Sequence, residues 1–179
     1  MWYVDSAIEG GLGERALVAA NRWVLILLLL AMSCIVFANV VLRYTTGDSI
    51  VWAEEVARHM MIWVTFLGAG LVLRFGGHVA IDNFHHTVGE QGARVVRAIV
   101  ALGLGAFFLV MMYFAILYVW ATRFQTTAAT DIPIAWIYAA MPVGFLLLFV
   151  HLLFIVRGYI GHGQYITSDE MDAESAASL

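Results

Sequence analysis

The sequence predicts an all-α integral membrane protein with four transmembrane helices. Two observations lead to this fold class. First, 63% of the 179 residues are hydrophobic and 12% are charged, whereas soluble domains are about half apolar and about a quarter charged. Second, long stretches without any charged residue recur along the chain. A chain of this length forms one domain, which we place at residues 1–179.

Charged residues delimit the first, third and fourth helices. The helices predicted from the charge-free stretches cover residues 23–42, 98–122 and 133–156. The shortest of them has 20 residues, which at ~1.5 Å per residue is enough to cross the roughly 30 Å core of a bilayer. Because lipid cannot bond to exposed backbone groups, segments of this kind must be helical.

The second helix is predicted for residues 50–74, although its charge-free part is too short to span a membrane alone. Asp48 or Ser49 can cap its start. Glu54 and Glu55 then fall in the early turns, where the helix dipole favours acidic side chains. The polar first turns of this helix therefore belong in the headgroup region or against a partner.

Three local features complete the expected architecture. Pro142 lies inside the fourth helix and removes the hydrogen bond to the Tyr138 carbonyl, which predicts a kink. The apolar spacing within residues 1–20 is compatible with a short interfacial helix. The acidic segment 163–179 is expected to be a disordered tail.

The distribution of arginine predicts the orientation, because cytoplasmic loops carry the excess of basic residues. Six arginines lie on the side of the two termini and three on the other side, so both termini are expected in the cytoplasm of a bacterial inner-membrane protein. Tryptophan and tyrosine are enriched at membrane interfaces. The residues assigned to the outer interface are Trp52, Trp120 and Trp136, and those assigned to the inner one are Trp23 and Tyr159.

Several function classes are excluded. All nine basic residues are arginine and form no cluster, which argues against a nucleic-acid partner. The single cysteine, Cys34, allows no internal disulfide. No phosphate loop, nucleophile elbow or zinc-protease motif is present, so no catalytic residue, cofactor or metal site is predicted.

A self-contained pump or exporter usually needs a carboxylate deep in the bilayer, and here every acidic residue is predicted at an interface or in a loop.

The densest group of polar residues lies between the first two helices. It comprises Arg43, Asp48, Glu54, Glu55 and Arg58, with Tyr44 and Trp52 between them. We call the candidate site residues of this group the polar cluster, namely Arg43, Trp52, Glu54, Glu55 and Arg58. Two interpretations stay open at this point. The charges can be interfacial side chains with a local ion pair, or they can form a docking surface for another membrane subunit, since two adjacent acids at membrane level need partners.

Histidines raise two further possibilities. A loop group could in principle bind a metal, but its spacing matches no zinc pattern and solvated side chains are the preferred interpretation; its members are His78, Asp82, His85 and His86. His59 and His151 could be haem ligands, which makes a membrane anchor of a haem-containing redox complex the alternative function.

Two segments carry a resemblance to a known family. Residues 39–44 and 49–58, which include the Trp-Ala-Glu-Glu-Val-Ala-Arg run, resemble the small membrane subunit of TRAP transporters, the DctQ-like small permeases. The similarity continues through Gly77-His78-Val79-Ala80-Ile81-Asp82 and, near the C-terminus, through Tyr138, Pro142 and Gly144. It covers the chain in order.

The resemblance implies a function that composition does not. The chain is expected to be one part of a tripartite, ATP-independent importer of an organic acid or similar small solute. Its partners would be a periplasmic solute-binding protein and a large sodium-coupled permease subunit of about twelve membrane helices, each ~20 residues long. The small subunit would pack against the fixed scaffold of the large one. The polar cluster is then predicted to contact the large subunit or the binding protein.

Overall fold

The computed structural model describes residues 12–74 and 90–162. These ranges contain five helices, which are α1 (Leu12–Thr46), α2 (Ala53–Arg74), α3 (Glu90–Ala121), α4 (Ile134–Tyr138) and α5 (Ala140–His162). Within these ranges, four helical segments are long and apolar enough to cross a membrane, and α4 and α5 together form the fourth. The all-α membrane fold is therefore confirmed.

Some sequence predictions fall on other parts of the chain. The loop group from His78 to His86 and the tail 163–179 lie outside the described residues. Most of the interfacial helix expected within residues 1–20 also lies outside them. The first described residue, Leu12, is already part of α1.

The helices continue beyond the charge-free stretches that predict them. α1 has 35 residues and α3 has 32, which correspond to roughly 50 Å each and exceed the roughly 30 Å hydrocarbon core. The added turns carry the flanking charges, such as Arg22 on α1 and Arg97 on α3. α2 is different, since its 22 residues extend only ~33 Å.

The fourth span is interrupted at Ala139, between α4 and α5. The interruption lies next to Tyr138. In a continuous helix the Tyr138 carbonyl would accept a hydrogen bond from the N–H of residue 142, but Pro142 has no N–H. Ala139 bonds back to the Ala135 carbonyl at 2.9 Å, and the Val143 N–H reaches the Ala139 carbonyl at 3.3 Å. The backbone bonds thus resume on both sides of the missing one.

The long helices are arranged in a row, in the order α1, α2, α5, α3, because the extensive contacts are those of α1 with α2, α2 with α5, and α5 with α3. The buried core lies among the last three. It is formed by Leu73, Phe108, Leu148 and Leu152. α2 and α5 are therefore central, while α1 and α3 are the edge helices.

The edge helix α1 packs on α2 through one stripe. Its buried and half-buried side chains include a set with heptad spacing, namely Val18, Asn21, Leu25, Leu28, Met32, Ile35 and Asn39. Alternating steps of three and four residues are typical of a left-handed crossing between two helices. Most other side chains of α1 are exposed, as expected of a helix with lipid around it.

Candidate functional site

The described polar residues of the predicted site gather at one end of the row. We call it the loop end, and it is formed by residues 47–52 between α1 and α2 and residues 122–133 between α3 and α4. Here Asn39 is buried, and its side-chain oxygen accepts the Ile50 N–H at 2.7 Å. This bond ties the chain that enters α2 to the last turns of α1.

Glu55 connects α2 to the second loop. One carboxylate oxygen accepts the Ala129 N–H at 2.9 Å, and the other accepts the Thr130 N–H at 3.2 Å and the Thr130 hydroxyl at 2.6 Å. A carboxylate with several donors forms short, strong hydrogen bonds. Glu55 therefore holds a loop that lies 74 residues further along the chain.

The second loop has an internal hydrogen-bond chain that ends at Glu55. Because the Thr130 proton points to the carboxylate, the Thr127 hydroxyl donates to Thr130 at 2.7 Å and itself accepts the Ile132 N–H at 3.1 Å. The turn is completed by Asp131 in the left-handed region, with φ of 53°, where aspartate is one of the more tolerated residues. The loop is thus a compact, ordered unit attached to α2.

The neighbouring acid has a different environment. Glu54 is exposed, and so are Arg43, Arg58 and Trp52. Within residues 12–74 and 90–162, neither arginine forms an ion pair with Glu54 or Glu55. The polar cluster is accordingly divided, since Glu55 faces the protein's own loop while its other members face outwards.

A third arginine, Arg123, lies at the loop end, and sequence reasoning did not assign it to the site. The Arg123 guanidinium lies over the Trp120 ring at 4.0 Å, is 4.3 Å from the Phe124 ring, and donates to the Trp120 carbonyl at 2.6 Å. Both rings are well exposed. Arginine stacked on aromatic rings is typical of a membrane interface, where apolar and charged surfaces meet.

The two intramembrane histidines are not brought together. His151 is fully buried, and its ring lies against α2 so closely that a Cβ atom on Gly70 would come within 2.8 Å of its Cδ2 atom. His59 is 11 residues from Gly70 along α2, which is roughly 16 Å. A single haem iron could not bind both.

The described helices and their exposed apolar surface define a polytopic membrane protein. Residues 32–158 match the family described as "Tripartite ATP-independent periplasmic transporters, DctQ component". The chain belongs to this family of transporter components, which are not enzymes, and it is a multi-pass inner-membrane protein.

Named relatives agree with this membership. The chain is 27% identical to the ectoine TRAP transporter small permease protein TeaB of Halomonas elongata, over 95% of this chain and 91% of TeaB. It is 28% identical to the C4-dicarboxylate TRAP transporter small permease protein DctQ of Rhodobacter capsulatus, over 68% of this chain and 55% of DctQ. It is also 26% identical to the sialic acid TRAP transporter permease protein SiaT of Haemophilus influenzae, over 69% of this chain and 20% of SiaT.

Proposed function

We propose that the chain, as the small subunit of a TRAP transporter, scaffolds a large sodium-coupled permease subunit that imports an organic acid or similar small solute. The observation that carries this proposal is the match to SiaT. The matched segment is only 20% of that permease, so a segment similar to this chain is covalently joined to a much larger polypeptide. A separate large subunit is the corresponding partner of this chain.

The charge distribution supports a scaffold rather than a translocating role. Residues 23–42, 98–122 and 132–156 carry no charged side chain, whereas groups that bind coupling ions inside a membrane are usually ionisable. The relatives are named for ectoine, C4-dicarboxylates and sialic acid. Since similar small subunits occur with different solutes, solute selection belongs to the other subunits.

The arginine count supports the orientation of the proposed assembly. With both termini in the cytoplasm, the loop end faces the periplasm. The polar cluster and the loop attached to Glu55 would then lie on the side from which a periplasmic solute-binding protein delivers the solute. In that orientation the exposed members of the cluster would lie within reach of either partner.

The decisive experiment is affinity purification of the tagged chain from membranes in mild detergent, with mass spectrometry of the co-purified proteins. We expect a large permease of about twelve spans of ~20 residues each. Haem proteins or dehydrogenases in its place would overturn the proposal and direct attention to His59 and His151.

Separate variants of the two adjacent acids test the role of the polar cluster. Glu54→Ala is expected to reduce the amount of co-purified permease and solute uptake while the chain itself keeps its thermal stability, since Glu54 is exposed and makes no hydrogen bond to the described residues. Glu55→Ala is expected to reduce both the assembly and the stability of the isolated chain, because three donors of the second loop lose their acceptor. If both variants assemble and transport like the wild type, the cluster has no part in docking.

A further inference from the structure

We propose that one exposed face of α2 is the contact surface for a single membrane-spanning helix of the large permease subunit. We call this face the α2 seam. It consists of Glu54, Arg58, Met61, Thr65, Gly68 and Val72. The inference rests on the proposed function, and it extends the docking surface from the polar cluster at the loop end to the whole length of the helix.

The seam has the geometry of a helix-packing surface. Its members follow alternating steps of four and three residues, as in a left-handed crossing of two helices. All of them except Gly68 are exposed, with Met61 at 54% and Val72 at 52%. The helix already packs on α1 and α5 through other sides, which carry the buried Leu67 and Gly70. Gly68 is half-buried at the border with α1, since a Cβ atom on it would lie 4.0 Å from the Leu25 Cδ2 atom. The other five members form a third side of α2 that the described residues leave open.

Because α2 is short, a charged side chain of the seam lies at the depth of the membrane core or at its edge. Its charge-free part, residues 59–73, has 15 residues and extends ~22 Å, roughly 8 Å less than the hydrocarbon core. A transmembrane α2 therefore brings a flanking arginine to the edge of the core or into it. Arg58 lies five residues inside the helix and is exposed. A charged side chain is unfavourable in hydrocarbon unless protein or interfacial groups surround it.

The other long helices lack such a face. The exposed surface of α1 between Arg22 and Arg43 contains no charge, and the charge-free stretches of the third and fourth spans are 25 residues each. Those surfaces are suited to lipid tails. Among the described spans, α2 is the one whose charge-free stretch is clearly shorter than the hydrocarbon core, so its flanking charge is the one brought to membrane depth.

A permease helix is the occupant that fits these properties. Thr65 and Gly68 are small and allow close backbone approach, which drives helix association in lipid better than large apolar residues do. The Thr65 hydroxyl already bonds to the Met61 carbonyl at 2.9 Å, so it can be covered without an unsatisfied donor. Glu54 and Arg58 have no ion-pair partner among the described residues, and they select a helix with complementary charges near its outer end.

Photo-crosslinking tests this surface in the assembled complex. The photoreactive residue benzoylphenylalanine is introduced singly at Met61 or Thr65 in the tagged full-length chain, which is expressed with the large permease it captures. The matched controls are Tyr113 and Leu109 on α3, which are exposed and lie at the same distances from the loop end of their helix, eight and 12 residues. We expect adducts with the permease at several times higher yield from positions 61 and 65.

A steric test adds a quantitative readout. Met61→Trp combined with Thr65→Trp should lower the amount of co-purified permease by about tenfold, equivalent to about 1.4 kcal/mol, whereas Leu109→Trp combined with Tyr113→Trp should leave it unchanged. Circular dichroism and gel filtration of each isolated variant exclude misfolding as the cause.

The outcomes separate the two proposals. Equal crosslinking from α2 and α3, or adducts with a second copy of this chain only, would overturn the α2 seam while a captured permease upholds the proposed function. If the wild-type chain captures no large permease at all, the proposed function itself fails.

Discussion

The central helix pair and the edge helix α1 are held by different kinds of contact. Between α2 and α5 the backbones approach closely at glycines. A Cβ atom on Gly144 would lie 2.7 Å from the Phe66 Cβ and 2.9 Å from the Phe66 carbonyl oxygen. Gly70 meets the fully buried His151 in a similar way. Shape complementarity of this kind leaves little freedom to slide or separate.

Between α1 and α2 the specific contacts are polar and lie near the two ends of the stripe. Asn21 donates to the Leu67 carbonyl at 3.0 Å, and Asn39 accepts the Ile50 N–H at 2.7 Å. The side chains between them are apolar and only half-buried. Hydrogen bonds fix the register of α1, whereas close packing fixes the central pair. The rigidity of this row therefore resides at its centre.

The largest expected effect is therefore at the centre, for Gly144→Ala. The new Cβ would collide with backbone-attached atoms of Phe66, which cannot rotate away, so the helices must move apart. Overpacking of this kind lowers the free energy of unfolding by about 2–3 kcal/mol. The measurement is unfolding in mixed micelles of a mild detergent and dodecyl sulfate, followed by circular dichroism.

Gly103→Ala on α3 is the matched control for that substitution. Apart from its chain neighbours and the nearby backbone of α3, no atom of the described residues lies within 4 Å of the position that its Cβ would occupy. The change should therefore be neutral or slightly stabilising, because alanine favours helix more than glycine does. A comparable loss of stability in both variants would mean that helix propensity or detergent, and not the close approach of α2 and α5, is responsible.

A smaller effect is expected at the loop end of α1, for Asn39→Ala. The Ile50 N–H then loses its acceptor in a half-buried position, which destabilises the protein by about 1 kcal/mol. Amide hydrogen exchange at Ile50 should become faster in the variant. Thr45→Ala is the control, since the exposed Thr45 hydroxyl bonds only to carbonyls of its own helix. Unchanged exchange at Ile50 would show that Asn39 does not hold this segment.

Three of the four spans could be predicted because the length of a charge-free stretch is a property of the sequence alone. The second could be predicted because Glu54 and Glu55 suit the first turn of a helix. The order of the helices in the row could not. A membrane helix is apolar on all sides, so its packing face has no hydrophobic contrast with its lipid face. On α1 only the two asparagines distinguish the packing stripe, and an asparagine side chain does not reveal which group it will bond.

The candidate site was predictable as a group of residues, but its internal division was not. Glu54 and Glu55 are adjacent in sequence, yet neighbouring residues of a helix point about 100° apart. Which of them meets the second loop depends on how α2 lies relative to α4 and α5. The groups that donate to Glu55 are two backbone N–H groups and a threonine hydroxyl. Such groups occur in most loops, so no sequence motif indicates that this loop binds a carboxylate.

The smallest expected effect is at the other end of the α1 stripe, for Asn21→Leu. The Leu67 carbonyl lies within α2 and keeps its helical hydrogen bond, so the variant leaves no orphaned acceptor on the partner helix. Hydrogen bonds between membrane helices average about 0.6 kcal/mol, and leucine regains part of this by packing. In the same unfolding assay, the Asn21→Leu and Asn39→Ala effects should add, because the two sites are 18 residues apart on one helix. A combined loss well above the sum would mean that both ends fix α1 as one cooperative unit, and the contrast between a rigid centre and a separately pinned edge would then have to be abandoned.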